Sequence, residues 1–214
     1  MKVHVRTVGP FQENSYLVVD EGSMRAVMVD PGDEPEALLE MVHASGATLD
    51  AIWLTHAHID HIGAIEAVRR AFPVPVHMHP LDLPYYERLS AKAAEMYGVR
   101  FEQPTAAITP LAEGDMVTCG TVRFDVLHVP GHAPGHVAFV SGGVALSGDL
   151  LFAGSIGRTD LPLSNPFDMD ASLDRFGALS AEIVVHPGHG PTTTIGEERE
   201  SNPFLAGRAR TLKR

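Results

Sequence analysis

The sequence predicts an α/β protein built as a four-layer αββα sandwich, two β-sheets packed face to face with helices on the outer faces. Two observations predict it. Strand-like patterns are followed by helix-like ones, and the same order then restarts, giving two strand-rich halves flanked by helices. No linker-like stretch divides the 214 residues, so residues 1–214 are expected to form a single domain, with ample length for a sizeable core. The composition, 44% apolar and 20% charged, is that of an ordinary globular chain.

In chain order, residues 2–8 alternate and are rich in valine, a strand that Gly9-Pro10 ends. Asn14 to Asp20 and Arg25 to Asp30 read as two further strands joined at Asp20-Glu21-Gly22-Ser23. Asp33 is placed to cap a helix, with Glu36 as its capping-box partner, Leu38, Met41 and Val42 as the apolar face and Gly46 as the stop. A strand over 50–54 leads into Thr55-His56-Ala57-His58-Ile59-Asp60-His61. Ile62, Ile65, Val68 and Phe72 then give a helix over 61–72. Val74 to Met78 is a strand. Leu81 to Tyr97 reads as one or two helices with Leu89, Ala93 and Met96 as the inner stripe, and 99–114 is loop. The second half gives strands 116–119, 121–128, 137–141 and 143–147, with Gly142-Gly143 a tight turn. A long loop 150–167, a helix 168–179, a strand 182–185 and a short helix 196–201 complete it.

Charge and composition exclude several functions. A net charge of −11 and a pI near 5.5 argue against a nucleic-acid partner. No apolar run approaches the roughly 20 residues of a membrane span, and the N-terminus lacks a secretory h-region. Cys119 is the sole cysteine, so no internal disulfide can form, in keeping with a cytoplasmic location.

The chemistry concentrates where strands end. The six residues His56 to His61 hold three imidazoles and a carboxylate. Side chains two apart in extended chain point the same way, so His56 and His58 can reach one metal, while Asp60 and His61 follow the bend. Three other turns after strands offer metal-ligand chemistry: Pro130-Gly131-His132-Ala133-Pro134-Gly135-His136, Ser147-Gly148-Asp149 and Pro187-Gly188-His189-Gly190. Open sheets normally assemble sites on such loops. Imidazole and carboxylate donors suit zinc, and also iron or manganese.

The order and spacing of these motifs over residues 14–203 resemble the metallo-β-lactamase superfamily. Gly9-Pro10-Phe11-Gln12-Glu13-Asn14-Ser15-Tyr16, Gly157-Arg158-Thr159-Asp160 and Pro187-Gly188-His189-Gly190-Pro191 resemble its glyoxalase II-like (hydroxyacylglutathione hydrolase-like) members, in their short bacterial single-domain form. The resemblance implies the metallo-β-lactamase fold and two divalent metal ions. His56, His58 and His132 would hold the first, and Asp60, His61 and His189 the second. Asp149 would bridge them, and Asp30 would orient a ligand histidine. It implies hydrolysis of a small-molecule thioester of the S-lactoylglutathione type by a metal-bridging hydroxide, which Asp60 would ligate and orient. A thiolate leaves without obligatory acid help, which suits such a centre.

Arg158 stands where classical glyoxalase II enzymes carry a basic residue near the thiol half of the substrate, and could hold a carboxylate or the leaving group. Their tyrosines are replaced here by Asp160 and Pro191, and no C-terminal helical domain is expected. The resemblance therefore covers the hydrolytic centre and not a glutathione grip. Three other readings compete: a persulfide dioxygenase-like oxygenase with one iron on His56, His132 and Asp149, a lactone or ester hydrolase on the same centre, and a metal-binding module on a retired hydrolase fold. Segment 81–97 could cover the site or form a homodimer contact. His77 and His79, His128 and Cys119 read as structural, His136 as structural or as support behind the ligands, and His186 as beside the site rather than in it.

Overall fold

The computed structural model describes residues 1–207, 209 and 211. The first half forms a six-stranded sheet in sequential order: β1 (Lys2–Val8), β2 (Glu13–Asp20), β3 (Arg25–Val29), β4 (Thr48–Trp53), β5 (Val76–Met78) and β6 (Ile108–Pro110). The first three are antiparallel; β3 to β6 run parallel. The second half supplies β7 (Met116–Cys119), β8 (Val122–His128), β9 (Val137–Ser141) and β10 (Val144–Gly148), then a small hairpin of β11 (Leu151–Phe152) and β12 (Ser155–Ile156). Last come β13 (Val184–Pro187) and β14 (Thr193–Thr194), and the second sheet runs β14-β13-β10-β9-β8-β7.

Alternation along the strands builds the layers, because successive side chains leave opposite faces. Tyr16, Val18, Val27, Val29 and Trp53 face Phe124, Val126, Phe139 and Leu146 of the other sheet. Leu17, Val19, Met28 and Ile52 instead pack against Leu38 and Val42 of α1 (Pro35–Ser45) and Ile65 and Val68 of α3 (Ile65–Ala71). On the far side, Ala138, Ala145 and Val185 bury Met169, Leu173 and Phe176 of α5 (Pro166–Phe176) and Ile195 of α6 (Ile195–Ser201). Three apolar sheets of side chains between four layers is the αββα sandwich.

Several boundaries differ from the sequence reading. Asp33 does not cap α1. The helix starts at Pro35 after Glu34, whose φ of 49° is left-handed, and no side chain caps it; the Glu34 carboxylate instead accepts from Gly9 N. The helix expected over 61–72 is two, α2 (Ile59–Ile62) and α3, separated at Gly63-Ala64. The loop at Pro31-Gly32 causes the break: Ala64 N donates to Pro31 O, and a Cβ at Gly63 would lie 2.4 Å from Gly32 O. Strands β6, β11, β12 and β14 have only two or three residues and lie outside the expected set. Of the expected stripe on 81–97, Met96 is exposed on α4 (Ser90–Tyr97), and Ala94 is buried in its place.

Candidate metal centre

One edge of the sandwich gathers every motif. β3, β4, β8, β10 and β13 end there, and Asp30, Thr55–His61, His132, Asp149 and His189 follow them. Val137 N donates to Thr55 O, and Asn14 N to Gly188 O, which ties segments of the two sheets together. Glycine permits the closest approaches. A Cβ at Gly188 would lie 2.1 Å from Asp149 Oδ1 and 2.9 Å from His61 Cε1.

Two donor groups emerge. His56, His58 and His132 offer nitrogens within 4.8 Å of one another, and so do the donor atoms of Asp60, His61 and His189. Asp149 touches both: Oδ2 is 3.4 Å from His132 Nε2 and 3.5 Å from His189 Nε2, and Oδ1 is 3.5 Å from His61 Nε2. Asp60 Oδ2 lies 3.3 Å from His189 Nε2. Tetrahedral ligands at ~2.1 Å from a metal stand about 3.4 Å apart, so these separations suit a shared cation. A third set, Asp30 with His56 and His61, is also close. The Asp30 carboxylate is already committed there, accepting from Thr55 N at 2.7 Å and Thr55 Oγ1 at 2.6 Å and facing His61 Nδ1 at 3.0 Å.

The outer nitrogens of His56, His61, His132 and His189 are pinned, which turns their inner ones toward the centre. His132 Nδ1 lies 2.8 Å from Arg158 O, His189 Nδ1 3.2 Å from Gln12 O, and His56 Nδ1 3.0 Å from Thr55 Oγ1. Since Thr55 gives its own proton to Asp30, it accepts from His56. Nε2 of His56, His61, His132 and His189 therefore faces the centre, and His58 turns Nδ1 there, 2.8 Å from His132 Nε2. His56 Nε2, His61 Nε2 and Asp149 Oδ1 are buried with no hydrogen-bond partner. Buried polar atoms are rarely left so, and a donor set of this chemistry fits divalent cations.

Charge follows the same logic. Burial, together with the imidazoles of His61, His58 and His132, keeps His56 well below its ordinary pKa. Burial also opposes charge on His61, but Asp149 and Asp60 outweigh it and hold His61 well above its usual range. His189 is raised to about 10, against burial, by its bonds to Asp149 and Asp60. Asp149 stays ionised well below the usual carboxylate range, because His61 and His189 outweigh its burial. Protons thus sit on His61 and His189, where the charge of a cation would otherwise balance the carboxylates.

Residues other than the expected donors complete the centre. Glu13-Asn14-Ser15-Tyr16 brace the His189 loop: Asn14 Nδ2 donates to Pro187 O and Gly190 O, Tyr16 OH to Pro187 O, and Asn14 N to Gly188 O. Glu13 is buried beside His61, with Oε1 3.8 Å from Nδ1, and burial raises its pKa well above the carboxylate range. Thr55 links Asp30 to His56. The motif at 9–16 carried part of this signal; Thr55 carried none beyond its place next to His56. His136 receives Asp149 N on Nε2, and His79 stacks on His128 at 4.3 Å with no carboxylate between them. Cys119 is buried between the sheets.

Above the centre opens a cavity of about 580 Å³. His58, Asp60, His132, Asp149 and His189 form its floor. Leu89, Ala93, Met96 and Tyr97 line its sides together with Phe11, which packs edge-on against Tyr97, and with Phe152, Ile156 and Arg158. The stripe on 81–97 is therefore apolar toward this cavity. Arg158 reaches the rim, but its guanidinium forms a bidentate pair with Asp160 at 2.6 and 2.8 Å, and both side chains are exposed.

A sequence profile of the metallo-β-lactamase superfamily matches residues 8–189. The chain belongs to the metallo-β-lactamase superfamily. Its members are mostly hydrolytic enzymes, and the His/Asp cluster together with the family implies divalent metals. Hydroxyacylglutathione hydrolase GloC of Haemophilus influenzae is 35% identical over 214 residues, 96% of this chain and 98% of that one. Among solved structures, TTHA1623 in a di-iron-bound form is 50% identical with a TM-score of 0.87, covering 94% of this chain and 100% of that one. The BLEG-1 B3 metallo-β-lactamase is 38% identical at TM-score 0.90, covering 96% and 100%. ETHE1 from Myxococcus xanthus is 29% identical at 0.81, covering 98% and 87%. No helix among the described residues is long and apolar enough to cross a membrane.

Proposed function

We propose that this metallo-hydrolase cleaves an acyl-thioester of the S-lactoylglutathione type on a binuclear centre. The observation that carries the proposal is the pair of donor groups sharing Asp149 beneath an open cavity. The relative named hydroxyacylglutathione hydrolase, similar over nearly its whole length, supports the substrate class.

His56, His58 and His132 would hold one cation and Asp60, His61 and His189 the other, with Asp149 between them. Two divalent cations supply Lewis acidity toward a carbonyl oxygen and toward water; zinc suits the nitrogen-rich set, with iron or manganese as alternatives. Asp30 fixes the His61 ring, and through Thr55 the His56 ring, so both approach the centre in one tautomer. Asp60 lies on the cavity floor, held low in pKa by His61 and His189 against its burial, so it can orient a water and accept a hydrogen bond from it. The apolar walls exclude bulk water around the acyl group. Arg158, at the rim, is placed for an anionic end of the thiol; to bind one it must share its guanidinium with Asp160.

The test is a panel of thioesters differing in the thiol, run with metal-loaded protein beside a lactone and a β-lactam. Thioester turnover with free-thiol release supports the proposal. Turnover of the lactone or β-lactam alone would favour the second reading, toward which the similarity to BLEG-1 points.

A further inference from the structure

The segment after β5 contains a carboxylate that none of the site motifs includes. Asp82 is fully buried. Its Oδ2 accepts from Ala57 N at 3.0 Å, and its Oδ1 accepts from Gly135 N at 2.5 Å. Ala57 lies between His56 and His58, and Gly135 lies three residues after His132 on the same turn. One carboxylate thus joins the loops of the two sheets that carry the first donor group. The following peptide, between Ala57 and His58, is held as well, because Ser90 Oγ donates to Ala57 O at 2.7 Å. There is no room for a side chain on the Gly135 side: a Cβ there would lie 2.8 Å from both Asp82 N and Asp82 Oδ1. Tyr85, three residues after Asp82, sets its ring edge-on to His58 at 4.4 Å.

We infer that Asp82 is a positioning residue that sets the spacing of His56 and His58 against His132, with Ser90 as its counterpart at the same residue, Ala57. This rests on the metal-centre reading of those three histidines. The separation matters because the two loops end strands of different sheets, joined near here by the backbone bond from Val137 N to Thr55 O rather than by a ladder. An amide at position 82 keeps the size and one acceptor, but turns an N–H₂ toward one of the two backbone donors. A buried donor left facing a donor forces its loop away. The same segment carries Leu89, Ala93 and Met96 on the cavity wall, so one stretch of chain supports both the first donor group and the substrate cavity.

The experiment titrates cobalt(II) into metal-free full-length protein, reading visible absorption and competition with a chelator, for the unsubstituted chain, Asp82→Asn and Ser90→Ala. Amide hydrogen exchange is followed on the metal-free proteins. Outer partners of ligand groups typically govern affinity by on the order of 10–100-fold. Asp82→Asn is expected to lose that much at the three-histidine step while the step assigned to Asp60, His61 and His189 stays unchanged. Exchange should quicken at Ala57 and Gly135 and not in β9. Ser90→Ala is expected to show a smaller loss of the same kind, and it carries the test if Asp82→Asn does not fold. Cobalt affinity within twofold of the unsubstituted protein, or exchange raised evenly across the sheets, overturns the inference. If the unsubstituted protein takes up no metal, the metal-centre reading fails instead, and the exchange pattern still decides whether Asp82 holds the two loops.

Discussion

Replacing Asp30 by asparagine isolates the support beneath the centre from the ligands themselves. Asp30 is buried, and its carboxylate serves three donors: Thr55 N, Thr55 Oγ1 and His61 Nδ1. Its φ of 51° is left-handed, a region that asparagine also tolerates, so the substitution adds no backbone strain. The asparagine can turn its oxygen toward Thr55 Oγ1 and His61, which leaves its N–H₂ opposing Thr55 N. A stranded buried donor costs about 1–3 kcal/mol, and loss of charge assistance in the two remaining bonds adds about 1 kcal/mol. Urea denaturation of the metal-free variant should therefore show a loss of about 2–4 kcal/mol. Metal affinity, read by chelator competition, should fall on the order of 10–100-fold as His61 and His56 lose their fixed orientation. A stability change under about 0.5 kcal/mol with unchanged metal affinity would refute this account of Asp30.

Three further outcomes follow from the same geometry. Gly188→Ala places a methyl 2.1 Å from Asp149 Oδ1, so the Asp149 and His61 donors must part; hydrolysis should drop by about 100-fold or more while circular dichroism stays that of the folded chain. Arg158→Ala breaks an exposed pair worth at most about 1 kcal/mol, so the urea midpoint should hold while KM for an anionic thioester rises and kcat is kept. His189 carries a folded pKa of about 10 against an ordinary 6.5. Because the folded value is raised, its contribution to the metal-free protein is complete below about pH 6.5 and is lost as pH rises toward about 10. Urea midpoints measured across that window should fall for the metal-free protein, and the His189→Ala variant should lack that part of the fall.

The layers were legible from the repeated order of strands and then helices, and the unbroken apolar run Leu17, Val18 and Val19 fits a strand buried on both faces. The cluster of donor side chains was legible because four of them fall within His56 to His61 and the others sit beside turn glycines. Four short strands were not, since two or three residues carry no period and their pairing depends on partners far along the chain. The Leu89, Ala93 and Met96 stripe shows the limit of periodicity: helical spacing reports an apolar face, and here that face meets a cavity. Asp82 and Thr55 were silent because a lone carboxylate or hydroxyl acquires its role only from the loops folded against it, 25 and 53 residues away for Asp82 and 25 for Thr55.

The central claim, two metals serving hydrolysis, is tested most directly by elemental analysis of the purified protein combined with thiol release from S-lactoylglutathione and simultaneous oxygen-uptake measurement. Two metal ions per chain, stoichiometric free thiol and no oxygen consumption are the expected result. One iron per chain with oxygen consumed in step with a sulfur substrate, and no thioester cleavage, would contradict it.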